Sequence, residues 1–361
     1  MKIDGVTTRS IWLNPDGWSV GIFDQRRLPW AVERMDLTSM ADAAAAIADM
    51  ATRGAPLIGA VAAYGMALAL RVDPSDEALD AAFGALLRTR PTAVNLRWAL
   101  ERMRAAVRPL PPAARAGAAY GCAAVICDED VAVNRAIGEV GLPLIRDLAR
   151  AKAGQPVNIL THCNPGWLAT VDWGTATAPL YRAHDEDIAL HIWVDETRPR
   201  NQGALTAFEL AAHGIPHSFV TDNAGGLLMQ RGQVDMVIVG TDRVTANGDV
   251  CNKIGTYLKA LAAAAHQVPF YVALPSSTYD PETPDGASVP IEERTVDEVR
   301  FVSGPDDDGI IRRIATTVSP ARNPAFDITP AALVTAYLTE AGLMAGPDAL
   351  RERLRGYAGQ P

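Results

Sequence analysis

The stretch "VDMVIVGTDRVTANGDVCNKIGTYLKALAA", residues 234–263, joins a short Val/Ile-rich run to a helix-forming segment through a polar connection. Apolar runs of the same kind are found at 157–162, 188–194, 217–221, 235–240 and 269–274. Helix-like segments lie near 203–213, 224–231 and 253–266. Strands that alternate with helices predict βαβ units on a parallel sheet that is covered on both faces. We therefore expect an α/β fold for this part of the chain.

The N-terminal part has a different pattern. In "SIWLNPDGWSVGIFD", residues 10–24, two apolar runs flank the turn sequence Asn14-Pro15-Asp16-Gly17, which predicts a β-hairpin. The chain then becomes Ala-rich, and a helix is predicted from a start at Ser39 to a stop at Gly54. Further helices are predicted at 58–70, 75–88, 95–106 and 112–138. We expect two domains, with the hairpin and helices in residues 1–145 and the parallel sheet in residues 146–361.

The composition excludes several classes of protein. The 361 residues carry a formal net charge of -9, whereas duplex-binding surfaces need clustered Lys and Arg, so no nucleic-acid partner is expected. No uninterrupted apolar run approaches the roughly 20 residues that span a bilayer, and no secretory signal is visible. The four cysteines have the spacing of neither a disulfide framework nor a zinc pair. We expect a cytoplasmic protein with reduced thiols and no membrane partner.

Polar residues directly follow each predicted strand. Ligands of parallel sheets bind beyond the carboxyl ends of the strands, so these residues are candidates for one site. They are His162-Cys163-Asn164, Asp195-Glu196-Thr197-Arg198, Thr221-Asp222-Asn223, Gly240-Thr241-Asp242-Arg243 and Pro275-Ser276-Ser277-Thr278. Their shared position is more informative than any one of them.

Cys163 has two interpretations. A lone cysteine beside an apolar strand is usually inert packing, because free cysteine is among the most buried residue types. Cys163 also precedes Asn164-Pro165-Gly166 and a predicted helix start, where unpaired N–H groups would lower the pKa of the thiol and could hold an anion. For Cys122, Cys127 and Cys251 the packing interpretation is preferred.

Asp242 ends the apolar run "VDMVIVGTD" and also has two interpretations. It could cap the following turn or pair with Arg243. Alternatively, in a dry pocket, desolvation would raise its pKa and make it a general acid.

Three cations are candidates for binding a phosphate. Arg53, in "TRGAP", follows a helix and lies next to flexible backbone N–H groups. Arg90 lies in "TRPTAVNL". Lys253 is predicted to open a helix just after Asn252, so that its ammonium and the helix N-terminus would converge on one anion.

Signals for nucleotide cofactors and metals are weak. Neither "NAGG" nor "RGAPLIG" matches the dinucleotide fingerprint, and the sequence has no GxxxxGK[ST] motif. His213 and His217 are separated by Gly214 and Pro216, which favours loop and strand-edge histidines over metal ligands. No nucleotide cofactor and no metal site are predicted.

Together these segments resemble the methylthioribose-1-phosphate isomerase family, which shares a superfamily with the regulatory subunits of translation initiation factor 2B. The resemblance covers nearly the whole chain. It rests on "RGAPLIGAVAAYG" (53–65), "RPTAVNLRWAL" (90–100), "NRAIGEVG" (134–141), "LTHCNPGWLAT" (160–170), "GTATA" (174–178), "WVDETRPRNQGA" (193–204), "TDNAGG" (221–226), the opening stretch (234–263), "PFYVALPSSTYD" (269–280), "VPIEER" (289–294) and "NPAFDITP" (323–330). Many members read "THCNAGALAT" where this chain has Pro165 and Trp167, and Trp167 is expected to shape the apolar wall around a methylthio group.

The resemblance implies a role for nine residues. Cys163 and Asp242 would be the catalytic pair, with Asp242 as the proton donor. A small-molecule sugar phosphate would be held by Arg53, Gly54, Ala55, Arg90, Gln202, Asn252 and Lys253. The resemblance also implies a homodimer without metal or organic cofactor, in which a Rossmann-like C-terminal domain accompanies the smaller N-terminal domain.

The implied activity is the conversion of 5-methylthioribose 1-phosphate to 5-methylthioribulose 1-phosphate in methionine salvage. A related isomerase acting on 5-deoxyribose 1-phosphate or ribose 1,5-bisphosphate is one alternative, because apolar contacts to the 5-substituent are worth only ~1–3 kcal/mol each. A non-catalytic regulatory subunit of a translation-factor exchange complex is another. The presence of both Cys163 and Asp242 favours the enzyme.

Overall fold

The computed structural model describes residues 1–3, 5–90 and 93–354. Pro91 and Thr92, from the motif at 90–100, lie outside the described residues, as do residues 355–361 at the end of the predicted second domain. The first strands are β1 Lys2–Ile3, β2 Val6–Thr7, β3 Ile11–Leu13, β4 Val20–Phe23 and β5 Arg34–Leu37. The predicted hairpin is confirmed, since Leu13 pairs with Val20 across the turn. Strand β5, which has no clear signal in the sequence, adds a third antiparallel strand to it.

Helices follow this small sheet. They are α1 Met40–Ala48, α2 Ala55–Val72, α3 Asp76–Leu87, α4 Val94–Val107 and α5 Pro112–Ala151. Ser39 caps α1 as predicted, by accepting a hydrogen bond from the N–H of Asp42 at 3.1 Å. The predicted stop at Gly54 is wrong, because α1 ends at Ala48 and Gly54 is instead the cap that precedes α2.

Helix α5 is longer than the predicted 112–138. It continues through Gly141 and Pro143 to Ala151 and crosses the boundary predicted between residues 145 and 146. The glycine permits close packing, since a Cβ at Gly141 would lie 2.5 Å from a ring carbon of Pro179. The division into two domains stays a prediction.

The remaining chain alternates strands and helices. The strands are β6 Val157–Thr161, β7 Leu190–Asp195, β8 His217–Val220, β9 Met236–Val239, β10 Arg243–Thr245, β11 Val250–Lys253, β12 Phe270–Ala273, β13 Tyr279–Asp280, β14 Phe301–Pro305, β15 Ile311–Ala315, β16 Phe326–Thr329, β17 Ala336–Thr339 and β18 Gly342–Met344. The helices are α6 Ala178–Asp185, α7 Gly203–His213, α8 Ala224–Gln230, α9 Thr256–Ala265, α10 Asp297–Arg300 and α11 Pro347–Leu354. Short 3-10 turns occupy Trp167–Ala169, Ser276–Thr278, Gly286–Ser288 and Ala331–Leu333.

Seven strands form the large sheet in the order β18-β17-β12-β9-β6-β7-β8. All neighbours are parallel except β17 and β18, so the predicted α/β fold is confirmed. The chain proceeds outward from β6 to β7 and β8, then returns to β9 on the other side of β6. This reversal is the topological switch point of the sheet, where open α/β sheets bind ligands.

Four strands form a second sheet in the order β13-β10-β11-β16. Its first strand in the chain, β10, follows β9 directly. Strand β11 pairs with β10 and β16 in antiparallel register. The helix predicted over 253–266 therefore begins later, at Thr256, and Lys253 is the last residue of a strand. The hydrogen bonding of β11 with β10 and β16 thus outweighs the local helix propensity of the residues before Thr256.

Buried side chains lie on both faces of the large sheet. Ile159 of β6 packs with Ile192 and Ile238 on one face, whereas Leu160 packs with Val237 on the other. In the N-terminal part, α2 is long and apolar enough to cross a bilayer by length and composition, but 72% of it is buried inside the protein. It forms the centre of the N-terminal core.

Candidate active site

A pocket lies beyond the carboxyl ends of β6 and β9, at the switch point, and the first residues of α2 also line it. All nine residues predicted for the site line this one pocket: Arg53, Gly54, Ala55, Arg90, Cys163, Gln202, Asp242, Asn252 and Lys253. They come from segments up to 200 residues apart in sequence (253 minus 53). The fold therefore brings together the whole predicted set.

Cys163 follows β6 directly and takes a positive φ of 65°. Its N–H donates to Thr197 Oγ1 at 2.8 Å, and its carbonyl accepts a hydrogen bond from Thr206 Oγ1 at 2.9 Å. The predicted helix after it is only the 3-10 turn Trp167–Ala169. Burial raises the pKa of the Cys163 thiol, against the opposing effects of Lys253 and Arg53. The expected lowering of this pKa by a helix N-terminus is therefore wrong.

Asp242 follows β9, three residues beyond the end of the strand. Burial raises the pKa of its carboxyl, and the nearby cations Lys253, Arg90 and Arg53 oppose the effect. This is the direction predicted for a general acid in a dry pocket. Arg243, the alternative partner of Asp242, forms an ion pair with Asp280 at 3.1 Å. The role of Asp242 as a general acid stays a prediction, which the direction of this pKa shift supports.

The start of α2 forms a wall of the pocket that has the groups an anion-binding site requires. Gly54 caps the helix with a φ of 98°, and a Cβ there would lie 2.3 Å from the Ala169 backbone. The helix therefore begins directly against the segment 163–170, which we call the Cys163 turn. The first N–H groups of an α-helix have no partner within the helix and favour anions. Arg53 is buried, and its Nη2 hydrogen-bonds Asn164 Oδ1.

Several polar atoms at the pocket are buried without a hydrogen-bond partner among the described residues. They include Arg53 Nε, Arg90 Nε and Gln202 Oε1. Buried polar groups are normally hydrogen-bonded, so unpartnered atoms around one pocket are expected where a polar ligand binds. Arg90 Nη2 lies 3.5 Å from Glu292 Oε2.

Gln202 is held at the pocket by an unusually close contact. It precedes α7, and a Cβ on the next residue, Gly203, would lie 1.8 Å from the carbonyl oxygen of Asp195. Only glycine allows α7 to start so near the end of β7. The close start of the helix keeps Gln202 beside the Cys163 turn.

Asn252 and Lys253 end β11 instead of opening a helix. Asn252 Nδ2 donates to Thr256 Oγ1 at 3.0 Å. The Lys253 ammonium lies 4.2 Å from the centre of the Phe326 ring, and burial lowers its pKa against the opposing charges of Cys163 and Asp242. One ammonium therefore acts on both the thiol and the carboxyl.

A cluster of His162, Asp195 and Asp222 has ligand atoms close enough to hold a metal ion. His162 Nδ1 lies 2.9 Å from Asp195 Oδ2, and Lys259 Nζ lies 3.1 Å from the same oxygen. The Lys259 ammonium already neutralises the carboxylate, so an ion pair rather than a metal site is the simpler interpretation. Sequence reasoning placed His162 and Asp195 at strand ends but did not reveal this pairing.

The apolar wall of the pocket differs from the prediction. Trp167 is 1% exposed and packs edge-on against Phe23 in the core; it is not among the described residues that line the pocket. The wall is formed by Met50, Pro56, Ile58, Pro165, Ala169, Pro275 and Phe326. The expectation for Trp167 is therefore wrong, whereas Pro165 does face the pocket.

Comparison with known proteins identifies close relatives. The profile of the initiation factor 2 subunit family matches residues 51–346. The methylthioribose-1-phosphate isomerase of Acidiphilium cryptum (strain JF-5) is 63% identical over 353 residues, which are 96% of this chain and 96% of that protein.

Solved structures agree with this relationship. The crystal structure of 5-methylthioribose 1-phosphate isomerase from Pyrococcus horikoshii OT3 matches with a TM-score of 0.81 at 38% identity, over 97% of this chain and 95% of that one. The translation initiation factor eIF-2B, subunit delta, from A. fulgidus matches with a TM-score of 0.80 at 38% identity, over 97% and 100% of the two chains. The chain therefore belongs to the initiation factor 2 subunit family and, within it, to the methylthioribose-1-phosphate isomerase family.

Proposed function

We propose that this protein is an aldose–ketose isomerase that converts 5-methylthio-α-D-ribose 1-phosphate to 5-methylthio-D-ribulose 1-phosphate in methionine salvage. The observation that carries the proposal is the grouping of Cys163, Asp242 and Lys253 beside the start of α2 in one pocket. A thiol and a carboxyl with shifted pKa values can move protons. A helix N-terminus with adjacent guanidinium groups can hold a phosphate.

In this proposal, the substrate phosphate binds the first N–H groups of α2 and the side chains of Arg53 and Arg90. The unpartnered Nε atoms of both arginines support this placement. Gln202 and Asn252 would contact the sugar hydroxyl groups, since both line the pocket between the helix start and the strand ends.

Asp242 is proposed to open the ring. The phosphate blocks the anomeric oxygen of an aldose 1-phosphate, so the ring cannot open to a free aldehyde and the bond between C1 and the ring oxygen must be broken. Asp242 donates its proton to the ring oxygen as this bond breaks. The raised pKa of Asp242 supports this role, because it favours the protonated carboxyl that a general acid requires.

Two routes then complete the isomerisation. In the first, Cys163 as a thiolate removes the C2 proton to give a cis-phosphoenolate, which gains a proton at C1 while the C2 hydroxyl loses its own. In the second, a hydride moves from C2 to C1 and the C2 hydroxyl releases its proton. Lys253 and Arg53 favour the thiolate, whereas burial favours the neutral thiol that is compatible with the hydride route.

The catalytic assignment is tested by Cys163→Ser and Asp242→Asn. Each variant should lower kcat by about 10³-fold, because Asp242 protonates the ring oxygen and, in the first route, Cys163 removes the C2 proton. Cys122→Ser, which changes a thiol on α5 far from the pocket lining, is the matched control and should keep full activity. A rate near that of the unaltered protein in either site variant, with its circular dichroism spectrum unchanged, contradicts the assignment.

The two routes differ in D2O. Deuterium at C1 of the product indicates the enolate route, because the proton added to C1 then comes from a group that exchanges with solvent. A product that carries the original C2 hydrogen at C1 is expected from the hydride route and also from an enolate route in which the transferred proton is shielded from solvent, so only incorporation of deuterium separates the two routes.

The substrate alternatives differ at C5. The apolar residues Met50, Ile58 and Phe326 in the pocket wall favour a methylthio or methyl group over the second phosphate of ribose 1,5-bisphosphate. Comparing kcat/KM on the three sugar phosphates checks this ranking. A higher kcat/KM on ribose 1,5-bisphosphate would overturn it.

A regulatory subunit remains the alternative from another class, because the eIF-2B delta structure shares the fold at 38% identity. The grouping of the thiol, carboxyl and ammonium in one pocket favours turnover over binding alone. Stable association with a translation factor, together with a failure to isomerise any of the three sugars, would reverse the assignment.

A homodimer in the cytoplasm completes the proposal. Apolar side chains stay exposed on two neighbouring helices, with Leu227 on α8 at 46% and Leu258 and Leu261 on α9 at 61% and 40%. Exposed apolar side chains on adjacent helices support a protein interface there. Sedimentation should therefore give a dimer, and Leu258→Glu should shift it towards the monomer. The four free thiols are consistent with a reducing compartment.

A further inference from the structure

Glu209 is a buried carboxyl that the proposed mechanism does not use. It lies on α7 with 1% exposure, behind the pocket wall. Its Oε1 accepts hydrogen bonds from the N–H of Leu168 at 2.8 Å and from Asn164 Nδ2 at 3.1 Å. The hydroxyl of Tyr181 lies 3.3 Å from Oε2. Burying a carboxyl is costly, so such a network calls for an explanation.

The contact with Asn164 determines how that side chain is oriented. Its amide nitrogen donates to Glu209 and also to Thr206 Oγ1 at 3.0 Å. Its oxygen must then face the other way, and it accepts a hydrogen bond from Arg53 Nη2. If the amide were reversed, its NH2 group would face the guanidinium, donor against donor.

The turn around Cys163 fits this carboxyl closely. A Cβ at Gly166 would lie 1.5 Å from Glu209 Oε2, so the carboxyl fills the space beneath the turn that only glycine leaves open. On the same face of α7, Thr206 Oγ1 donates to the carbonyl of Cys163 at 2.9 Å. Glu209 and Thr206, three positions apart, therefore hold the two sides of one turn.

We propose that Glu209 is a positioning residue that acts through Asn164 to direct the guanidinium of Arg53 at the substrate phosphate. This rests on the proposed function, in which Arg53 contacts that phosphate. The carboxylate supplies acceptors to Asn164 and Leu168, and Asn164 passes a fixed acceptor on to Arg53. The Nε of Arg53, which has no partner among the described residues, is then left for the ligand.

The test compares Glu209→Leu with Glu209→Gln in the full-length protein. Leucine removes the acceptor, so Asn164 can reverse, whereas the glutamine carbonyl can still accept both hydrogen bonds. We expect Glu209→Leu to raise the inhibition constant of inorganic phosphate and the KM of the sugar phosphate about tenfold, with kcat within about threefold. Glu209→Gln should restore both constants to within about threefold of the unaltered protein.

Arg53→Met separates the possible failures. If Glu209 acts through Arg53, Glu209→Leu should cause no further rise in the inhibition constant once Arg53 is replaced. If Arg53→Met raises the constant but Glu209→Leu does not, the positioning role is wrong and the proposed function stands. If Arg53→Met itself leaves the constant unchanged, the phosphate assignment fails. A lower Tm in Glu209→Leu with an unchanged inhibition constant would show that Glu209 is only structural.

Discussion

The pocket is bounded by two regions that hold charge in different ways. The first, which we call the sheet edge, consists of Cys163, Asp242 and Lys253 at strand ends. The second, the helix start, consists of Arg53, Gly54 and Ala55 at the beginning of α2. At the sheet edge, burial raises the pKa of the Cys163 thiol and the Asp242 carboxyl and lowers that of the Lys253 ammonium. In each case the shift favours the neutral form. A group whose neutral and charged forms differ little in free energy is suited to proton transfer.

The helix start has no carboxyl or thiol of its own. It offers backbone N–H groups and a guanidinium, whose charge does not depend on pH in the working range. Arg53 Nε is unpartnered among the described residues, whereas the Lys253 ammonium lies 4.2 Å from the centre of the Phe326 ring. In the proposed function, the sheet edge transfers protons and the helix start binds the substrate, and each role can be tested separately.

Apart from replacement of Cys163 or Asp242 themselves, the largest effect is expected at the sheet edge from Lys253→Met. Without the ammonium, the pKa values of Cys163 and Asp242 should rise further, since Lys253 opposes the effect of burial on both. We expect kcat to fall by about 10²- to 10³-fold and alkylation of Cys163 to require a higher pH. The matched control is Lys152→Met. It removes a cation that pairs with Asp235 and that precedes the N-terminal end of β6 in the chain. An unchanged pH dependence of alkylation would remove Lys253 from the proton-transfer group.

The second effect concerns the pH dependence of stability at the Cys163 turn, where the sheet edge and the helix start meet. Burial raises the pKa of Glu209 to about 7 and that of Asp130 to about 7. Glu209 holds the N–H of Leu168, and Asp130, on α5, holds the N–H of Val171 at 2.7 Å. One carboxyl from each side of the turn therefore changes charge near neutral pH.

The sign follows from proton binding. The folded pKa of each carboxyl lies above its ordinary value, so their contribution is fully present below about pH 4 and is lost as pH rises through about 7. Over the whole range the loss is about 3 kcal/mol for Glu209 and about 4 kcal/mol for Asp130, of which about 2 kcal/mol each falls between pH 5.5 and 8. Urea unfolding at pH 5.5 and 8 should show this loss in the unaltered protein but less of it in Glu209→Gln and in Asp130→Asn. Asp128→Asn, at an exposed neighbour paired with Arg9, should behave like the unaltered protein.

The sequence was sufficient to group Cys163 and Asp242, because the information that places them is local. Cys163 and Asp242 directly follow predicted strands, and parallel strands place their carboxyl ends at one edge. The environment of Lys253 was missed, because β11 depends on pairing with β10 and β16, which are distant in sequence. Glu209 gave no signal, since a single acidic residue in a helix usually lies on a solvated face.

The helix start could be predicted only in part. The residue pattern indicated that Arg53 and Gly54 suit an anion, but only the family resemblance placed them in one site with Cys163 and Asp242. Their position beside the sheet edge depends on Gly54 packing against Ala169. Trp167 was misplaced for a similar reason, since its burial against Phe23 is set by the three-stranded sheet at the other end of the sequence. Tertiary contacts, rather than local pattern, decided both.

A smaller effect is expected on the binding side from Arg90→Met. Its Nε is unpartnered among the described residues, and its Nη2 lies 3.5 Å from Glu292. Loss of one charge-assisted hydrogen bond to phosphate should raise KM about tenfold and leave kcat within about threefold. Arg97→Met, on the exposed side of α4, should change neither constant. If kcat falls while KM stays constant, Arg90 acts in the transition state and the separation between the two regions fails.

The smallest effect is expected from Pro165→Ala, which tests the apolar wall of the pocket beside the sheet edge. Pro165 lines the pocket directly after Cys163-Asn164, and its carbonyl accepts a hydrogen bond from the N–H of Thr175 at 2.9 Å. Alanine keeps that carbonyl but removes the ring, so KM should change less than about fivefold, as expected for a few apolar atoms. The greater freedom of the unfolded chain should cost about 0.4–1 kcal/mol of stability, measurable as a lower urea midpoint. A large fall in kcat instead would show that the proline ring fixes the Cys163 turn for proton transfer, which would make this wall part of the chemistry rather than of substrate fit.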